Sequence, residues 1–318
     1  LWILINTQFF GEKENKTMKI LYVYNFAYPD YQSDTIYHGL IDSGFEIYET
    51  HYPQYMMSGF QFKKESIYDD VSNYIYGGMP NTTFTLYGKL NHTPRVQSES
   101  TIVHKIKSKF YDIIIYGCVY THEGMPRRQC LDYLDEVVKY YPKDKIHFID
   151  GSDNPWNFAH SNGIASYGTV WKTQLESIGA ANPICFGIPE SQLIKENPKK
   201  EKIFADIIPG DRKTYIYNDE ESYYNDYAKS YYGMTWKKGQ WNCMRHLEIL
   251  ANKCIPYFPD IGDCPPFVMM DFPKEVFLET NKYARRYEVH PNYDWINDYI
   301  FNHTKNNLTT KKIVERFL

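Results

Sequence analysis

Arg245 and Glu248 stand three apart in a stretch that predicts an amphipathic helix over about 241–252. Met244, Leu247, Leu250 and Ala251 recur at helical spacing and predict the face that packs on a sheet. Arg245 and Glu248 fall on another face, where they can reach one ligand or each other. Just ahead of the helix come Lys237, Lys238 and Gly239. A flexible turn, two ammonium groups and the free N–H groups of a helix N-terminus suit a diphosphate. A carboxylate one or two turns further along can accept hydrogen bonds from ribose hydroxyls. His246 can touch the same phosphate or pack in the core. On spacing alone the Arg–Glu pair also reads as a surface ion pair worth roughly a few tenths of a kcal/mol. The lysines read equally well as a solvated loop.

The elements that must position this segment alternate between strand and helix. Residues 18–24 (MKILYVY) predict a buried strand, Ser33 or Asp34 a helix cap, Gly44 the helix end, and 45–50 a second strand. Gly77, Gly78 and Pro80 mark loops or a small insertion within 51–100. A helix over 100–109, an apolar strand over 111–116, a helix over 126–141 and a strand over 145–149 follow. A last strand is expected over 184–188 and a linker over 189–202. This order predicts a parallel sheet with right-handed crossovers, the opening of a doubly wound α/β domain. Beyond it come strand pieces at 204–210 and 213–217. Asp219, Glu220 and Glu221 open a helix through Tyr231, with acids in its first turn. Then come a loop over 233–239, the helix carrying Arg245, a strand over 255–258 and one or two helices over 294–318.

Composition narrows the function classes. A formal net charge of −4 over 318 residues gives no basic footprint, so no nucleic-acid partner is expected. Hydrophobic residues at 43% and charged ones at 23% exclude a disordered chain. No apolar run reaches the roughly 18–20 residues that span a bilayer. Residues 1–17, ahead of Met18, are expected to lie outside the fold as a leader; a short interfacial anchor is the other reading. The cysteines form no C-x-x-C pair and suit neither zinc nor a disulfide framework. Free thiols in a reducing, cytoplasmic compartment are expected. The first strand leads into NFAYPDY with no glycine, which argues against a dehydrogenase or methyltransferase turn. The 31 tyrosines suit a carbohydrate or nucleotide groove, although AT-rich coding would enrich them equally.

Residues 230–258 carry Ser230, Gly233, Thr235, Lys237-Lys238-Gly239, Trp241-Asn242, Arg245, Glu248, Leu250-Ala251, Cys254-Ile255-Pro256 and Phe258 in fixed order. This string resembles the C-terminal half of GT-B glycosyltransferases, with the logic of exostosin-like and fucosyltransferase-like members. The resemblance is clearest over 203–275 and fainter over 145–190, where IDGSD and CFGIPE stand. It implies two Rossmann-like domains facing across a cleft: an acceptor-side domain over 18–190 and a donor domain over 200–290. Helices over 291–318 could pack back on the first domain. Arg245 with Lys237 or Lys238 would neutralise the leaving diphosphate of a nucleotide-sugar, without a metal or other cofactor. The acceptor would be a glycan or lipid-linked glycan.

The pattern is broken in two ways, both at one position. Gln240 stands where a second glycine is usual, and the same Gln240 breaks the E-x7-E pattern of retaining enzymes, which favours inversion. An inverting transfer needs a base near the strand ends of the first domain. His122 and Glu123 follow one strand, Asp150 and Asp153 the next, and Asp153 or His122 is the expected base. The alternative is an inactive module that keeps the same fold and binds a nucleotide or glycan.

Overall fold

The computed structural model describes residues 17–24, 30–51, 53–60, 85–117, 119, 131–152, 163–175, 179, 181–217 and 219–318. The first part is built from β1 (Lys19–Val23), α1 (Tyr31–Asp42), β2 (Glu46–Glu49), α2 (Glu99–Lys107), β3 (Ile113–Tyr116), α3 (Leu134–Tyr140), β4 (Ile146–Asp150), β5 (Thr169–Lys172) and β6 (Asn182–Pro183). These strands form one parallel six-stranded sheet in the order β2-β1-β3-β4-β5-β6. Ile20 pairs with Ile47 on one side and Ile113 on the other. The strands are apolar without alternation because both faces are covered. Ile20, Tyr22, Ile113 and Ile115 bury against one core, and Leu21, Val23, Ile114 and Tyr116 against the other.

The second part holds β7 (Lys202–Phe204), α4 (Glu220–Ala228), β8 (Ser230–Met234), α5 (Met244–Ala251), β9 (Ile255–Tyr257), α6 (Lys274–Ala284), α7 (Tyr293–Asn307) and α8 (Thr310–Phe317). Its three strands are parallel in the order β7-β8-β9. The chain is thus α/β with two parallel sheets. Tyr223, Tyr232, Leu247 and Ile255 belong to the same continuous core as Ile20 and Tyr22. No helix among the described residues is long and apolar enough to cross a membrane.

Several local expectations shift. The cap of α1 is Asp30, whose side chain accepts from the Ser33 N–H at 2.7 Å, so neither Ser33 nor Asp34 serves. Residues 184–188 are buried but form no strand: Ile184 alone reaches the sheet, its N–H donating to the Lys172 carbonyl at 3.1 Å. The sheet closes instead with β5 and β6, two stretches that the sequence pattern does not mark. The helix that starts at Glu220 stops at Ala228, and the expected helix end and loop at 230–234 form the central strand β8. Residues 212–214 make a 3-10 turn rather than a strand. Cys185 and Cys254 are buried free thiols. Residues 1–16, Gly77, Gly78, Pro80, Cys118 and the start of the expected 126–141 helix lie outside the described residues.

Helix α8 packs against α1. A Cβ on Gly39 would stand 2.3 Å from the Thr310 carbonyl oxygen, so only glycine permits this approach. Ile188 and Thr310 fix the helix start through hydrogen bonds, Ile188 N–H to the Leu308 carbonyl and Thr310 N–H to the Ile188 carbonyl, both at 2.9 Å.

At the C-terminal ends of β4 and β5, Asp150 and Lys172 form a fully buried ion pair at 3.2 Å. Ser152 joins it, donating to Asp150 at 2.6 Å and accepting from the Lys172 ammonium at 2.6 Å. Removing one partner leaves an uncompensated buried charge. Lys172→Met should therefore lower stability in urea unfolding by about 3–5 kcal/mol. Adding Asp150→Asn should recover most of that loss. A single variant as stable as the parent would show that the pair carries no weight.

Candidate functional site

Helix α5 begins at Met244, three residues later than its sequence pattern suggests, because the preceding residues are held by the large sheet. Gln174, with its amide oxygen turned toward them, accepts from the N–H groups of Trp241 and Asn242 at 3.1 and 3.2 Å. The Asn242 side chain donates to the Thr173 carbonyl at 3.2 Å. Thr173 and Gln174 directly follow β5, and residues 235–243 directly follow β8. The C-terminal ends of strands from both sheets therefore meet at this point.

His246 ties the loop to the helix. Its ring is fully buried, packs on Phe258 with centroids 4.7 Å apart, and has both nitrogens engaged inside the protein. The Trp241 carbonyl, 2.8 Å from Nε2, can only accept, so Nε2 carries the proton. Nδ1 then accepts from the Thr235 hydroxyl at 2.8 Å. Of its two sequence readings, the packed core histidine is the one realised, and no ring nitrogen is left for a phosphate.

Lys237, Lys238 and Gly239 are exposed in the loop. The Lys237 N–H donates to Asp260 at 3.0 Å and its ammonium lies 5.2 Å from the Trp241 ring. Because α5 starts at Met244, Gly239 does not itself cap the helix.

Arg245 and Glu248 lie apart from the core face formed by Met244, Leu247, Leu250 and Ala251, as their spacing predicts. They are no surface ion pair: Glu248 is only 6% exposed, and no carboxylate among the described residues lies within ion-pair distance of Arg245. The Arg245 Nε is shut off from water and has no hydrogen-bond partner among the described residues. Its guanidinium lies 5.9 Å from the Tyr215 ring. Tyr223 and Tyr227, one turn apart on α4, join hydroxyls at 3.3 Å nearby. Burial, reinforced by the Glu248 charge, holds the Tyr223 phenol well above its ordinary pKa. These phenols are neutral and do not offset the Arg245 charge.

Glu248 accepts from the Thr85 hydroxyl at 2.5 Å and from the Tyr223 hydroxyl at 2.6 Å, one at each carboxylate oxygen. Burial raises its pKa, against the pull of those two hydrogen bonds and of Arg245. The sequence pattern singles out neither Thr85 nor Tyr223 as a site residue. Tyr223 and Tyr227 do show the i, i+4 spacing of one helical face, but nothing local signals Thr85.

Asp150 is an internal ion-pair partner of Lys172. His122, Glu123 and Asp153 lie outside the described residues.

The packing of His246 has a consequence for pH. Burial lowers its pKa from 6.5 to about 4, and His147 shifts the same way. The unfolded chain binds these protons first, so stability falls as pH drops from 6.5 toward 4. NMR titration of the ring should show His246 still neutral at about pH 5. A midpoint near the ordinary histidine value would contradict the buried Thr235–His246–Trp241 link. Comparison with family models, with curated proteins and with solved structures finds no match to this chain.

Proposed function

We propose that this chain transfers a sugar from a nucleotide-sugar donor to a hydroxyl acceptor on a glycan or lipid-linked glycan. The observation that carries the reading is Arg245, a cation with a buried, unpartnered Nε, one turn from a buried carboxylate. Arg245 is half-buried, and a partly desolvated cation with no carboxylate within ion-pair distance costs stability. An anionic ligand would repay that cost. A diphosphate supplies the charge, and a ribose supplies hydroxyls for Glu248. Arg245 would stabilise the negative charge that develops on the leaving diphosphate as the glycosidic bond breaks. Lys237 and Lys238, exposed on the loop before α5, add a mobile positive field.

Several features support a two-domain GT-B arrangement, and the proposed transfer is inverting. Each sheet is parallel, and the loop after β8 meets the residues after β5. Ligands in open α/β sheets bind beyond the C-terminal strand ends, at the point where strand order reverses. In the large sheet that point lies between β1 and β3. His122 and Asp153, which follow β3 and β4 in sequence, remain the proposed bases. Arg245 and the two lysines supply the charge stabilisation, so the proposed mechanism is metal-independent; the proposed compartment is the cytoplasm.

A second reading is a nucleotide- or glycan-binding module without turnover. Its support is Glu248, whose oxygens are both taken by the chain's own hydroxyls.

Arg245→Met separates a ligand cation from a structural one. Thermal unfolding should occur at the same temperature or higher, because an unpaired charge has been removed. Calorimetric binding of uridine, guanosine or thymidine diphosphate should weaken by about tenfold or more, as expected for lost hydrogen bonds to a charged group. Hydrolysis or transfer of the matching sugar nucleotide should cease. Unchanged binding and turnover in the variant would sink this reading; binding without turnover in the parent chain would select the module.

A further inference from the structure

Thr85 opens a turn that is anchored away from α5. The Gly88 N–H donates to the Tyr55 carbonyl at 2.9 Å, and Lys89 and Leu90 N–H groups donate to the Met56 carbonyl at 3.0 and 2.9 Å. The Tyr87 hydroxyl donates to Asp34 at 3.2 Å. Lys89 forms an ion pair with Glu220 at the start of α4. Through this turn the buried Thr85 hydroxyl reaches Glu248 at 2.5 Å and Tyr224 at 2.8 Å.

We propose that Thr85 is a built-in competitor of the donor nucleotide: its hydroxyl holds the Glu248 oxygen that a ribose hydroxyl must take. The proposal rests on the nucleotide reading of Arg245 and Glu248. A ribose carries two neighbouring hydroxyls, and each can donate to one oxygen of a carboxylate. Thr85 and Tyr223 make that same two-point pattern now. Ribose binding then exchanges one hydroxyl–carboxylate hydrogen bond for another, with little net gain. Affinity is left to the contacts of Arg245 and the lysines with the diphosphate, and the turn must give way at Thr85 before the nucleoside seats fully.

Calorimetric titration of the full chain with uridine diphosphate, guanosine diphosphate and inorganic pyrophosphate tests this. Thr85→Val removes the hydroxyl and keeps the shape. It should bind one of the two nucleoside diphosphates about tenfold to a hundredfold more tightly than the parent. Pyrophosphate, which has no ribose, should bind both chains equally, and Thr85→Ser should behave as the parent. Equal or weaker nucleoside diphosphate binding by Thr85→Val, with pyrophosphate unchanged, overturns the competition and leaves the nucleotide reading standing. If neither chain binds any of the three probes, both fall together. Should Thr85→Val fail to fold, the parent chain still decides. Replacing the favoured nucleoside diphosphate with its 2′,3′-dideoxy form should weaken binding by less than about threefold, since a zero-sum exchange is lost. A much larger drop overturns the proposal.

Discussion

Taking a carboxylate out of water costs several kcal/mol unless donors replace its hydration, and in this chain phenols and short hydroxyls supply them. Asp34 accepts from Tyr24, Tyr55 and Tyr87, and from the Asp30 N–H. Glu49 accepts from Tyr37, from His92 and from the Arg95 N–H. Glu248 accepts from Tyr223 and Thr85. The tyrosines serve here as internal solvent as much as they fill space. The arrangement also connects distant parts. Tyr87 can hold Asp34 only if its turn stands where it does, and that same turn brings Thr85 onto Glu248.

Sequence periodicity revealed what local patterns encode. β1, β3 and β4 were legible because strands covered on both faces carry unbroken apolar runs. β5 was not, since it carries Lys172, a residue that belongs in a central strand only when Asp150 and Ser152 stand opposite it. The sequence pattern predicts the helix start before Arg245 too early, because Trp241 and Asn242 fit a helical pattern. Their N–H groups instead go to Gln174, a tertiary contact that no window around residue 241 contains. Arg245, His246 and Glu248 were legible as charged or titratable groups beside an apolar stripe. Their roles were not, because the Thr85 partner of Glu248 lies 163 residues away in the chain.

Arg245 breaks the rule that the rest of the molecule obeys. Elsewhere buried charge is met by opposite charge or by donors, as at Asp150, Asp34 and Glu49. At Arg245 no carboxylate among the described residues stands within ion-pair distance, and its guanidinium faces the Tyr215 ring. A local conflict of this kind, inside an otherwise consistent interior, is where a fold tends to give up stability for function.

The contact between α1 and α8 sets the order in which the molecule can be completed. Gly39 and Thr310 touch across nearly the whole described chain, so the face of the first sheet on which α1 packs is only partly covered while the intervening residues are being made. Ile313, Val314 and Phe317 close that face. A chain emerging from a ribosome would hold exposed apolar surface there until α8 has been made. The first sheet therefore reaches its final state only after the residues of the second sheet have been made, despite its early place in the sequence.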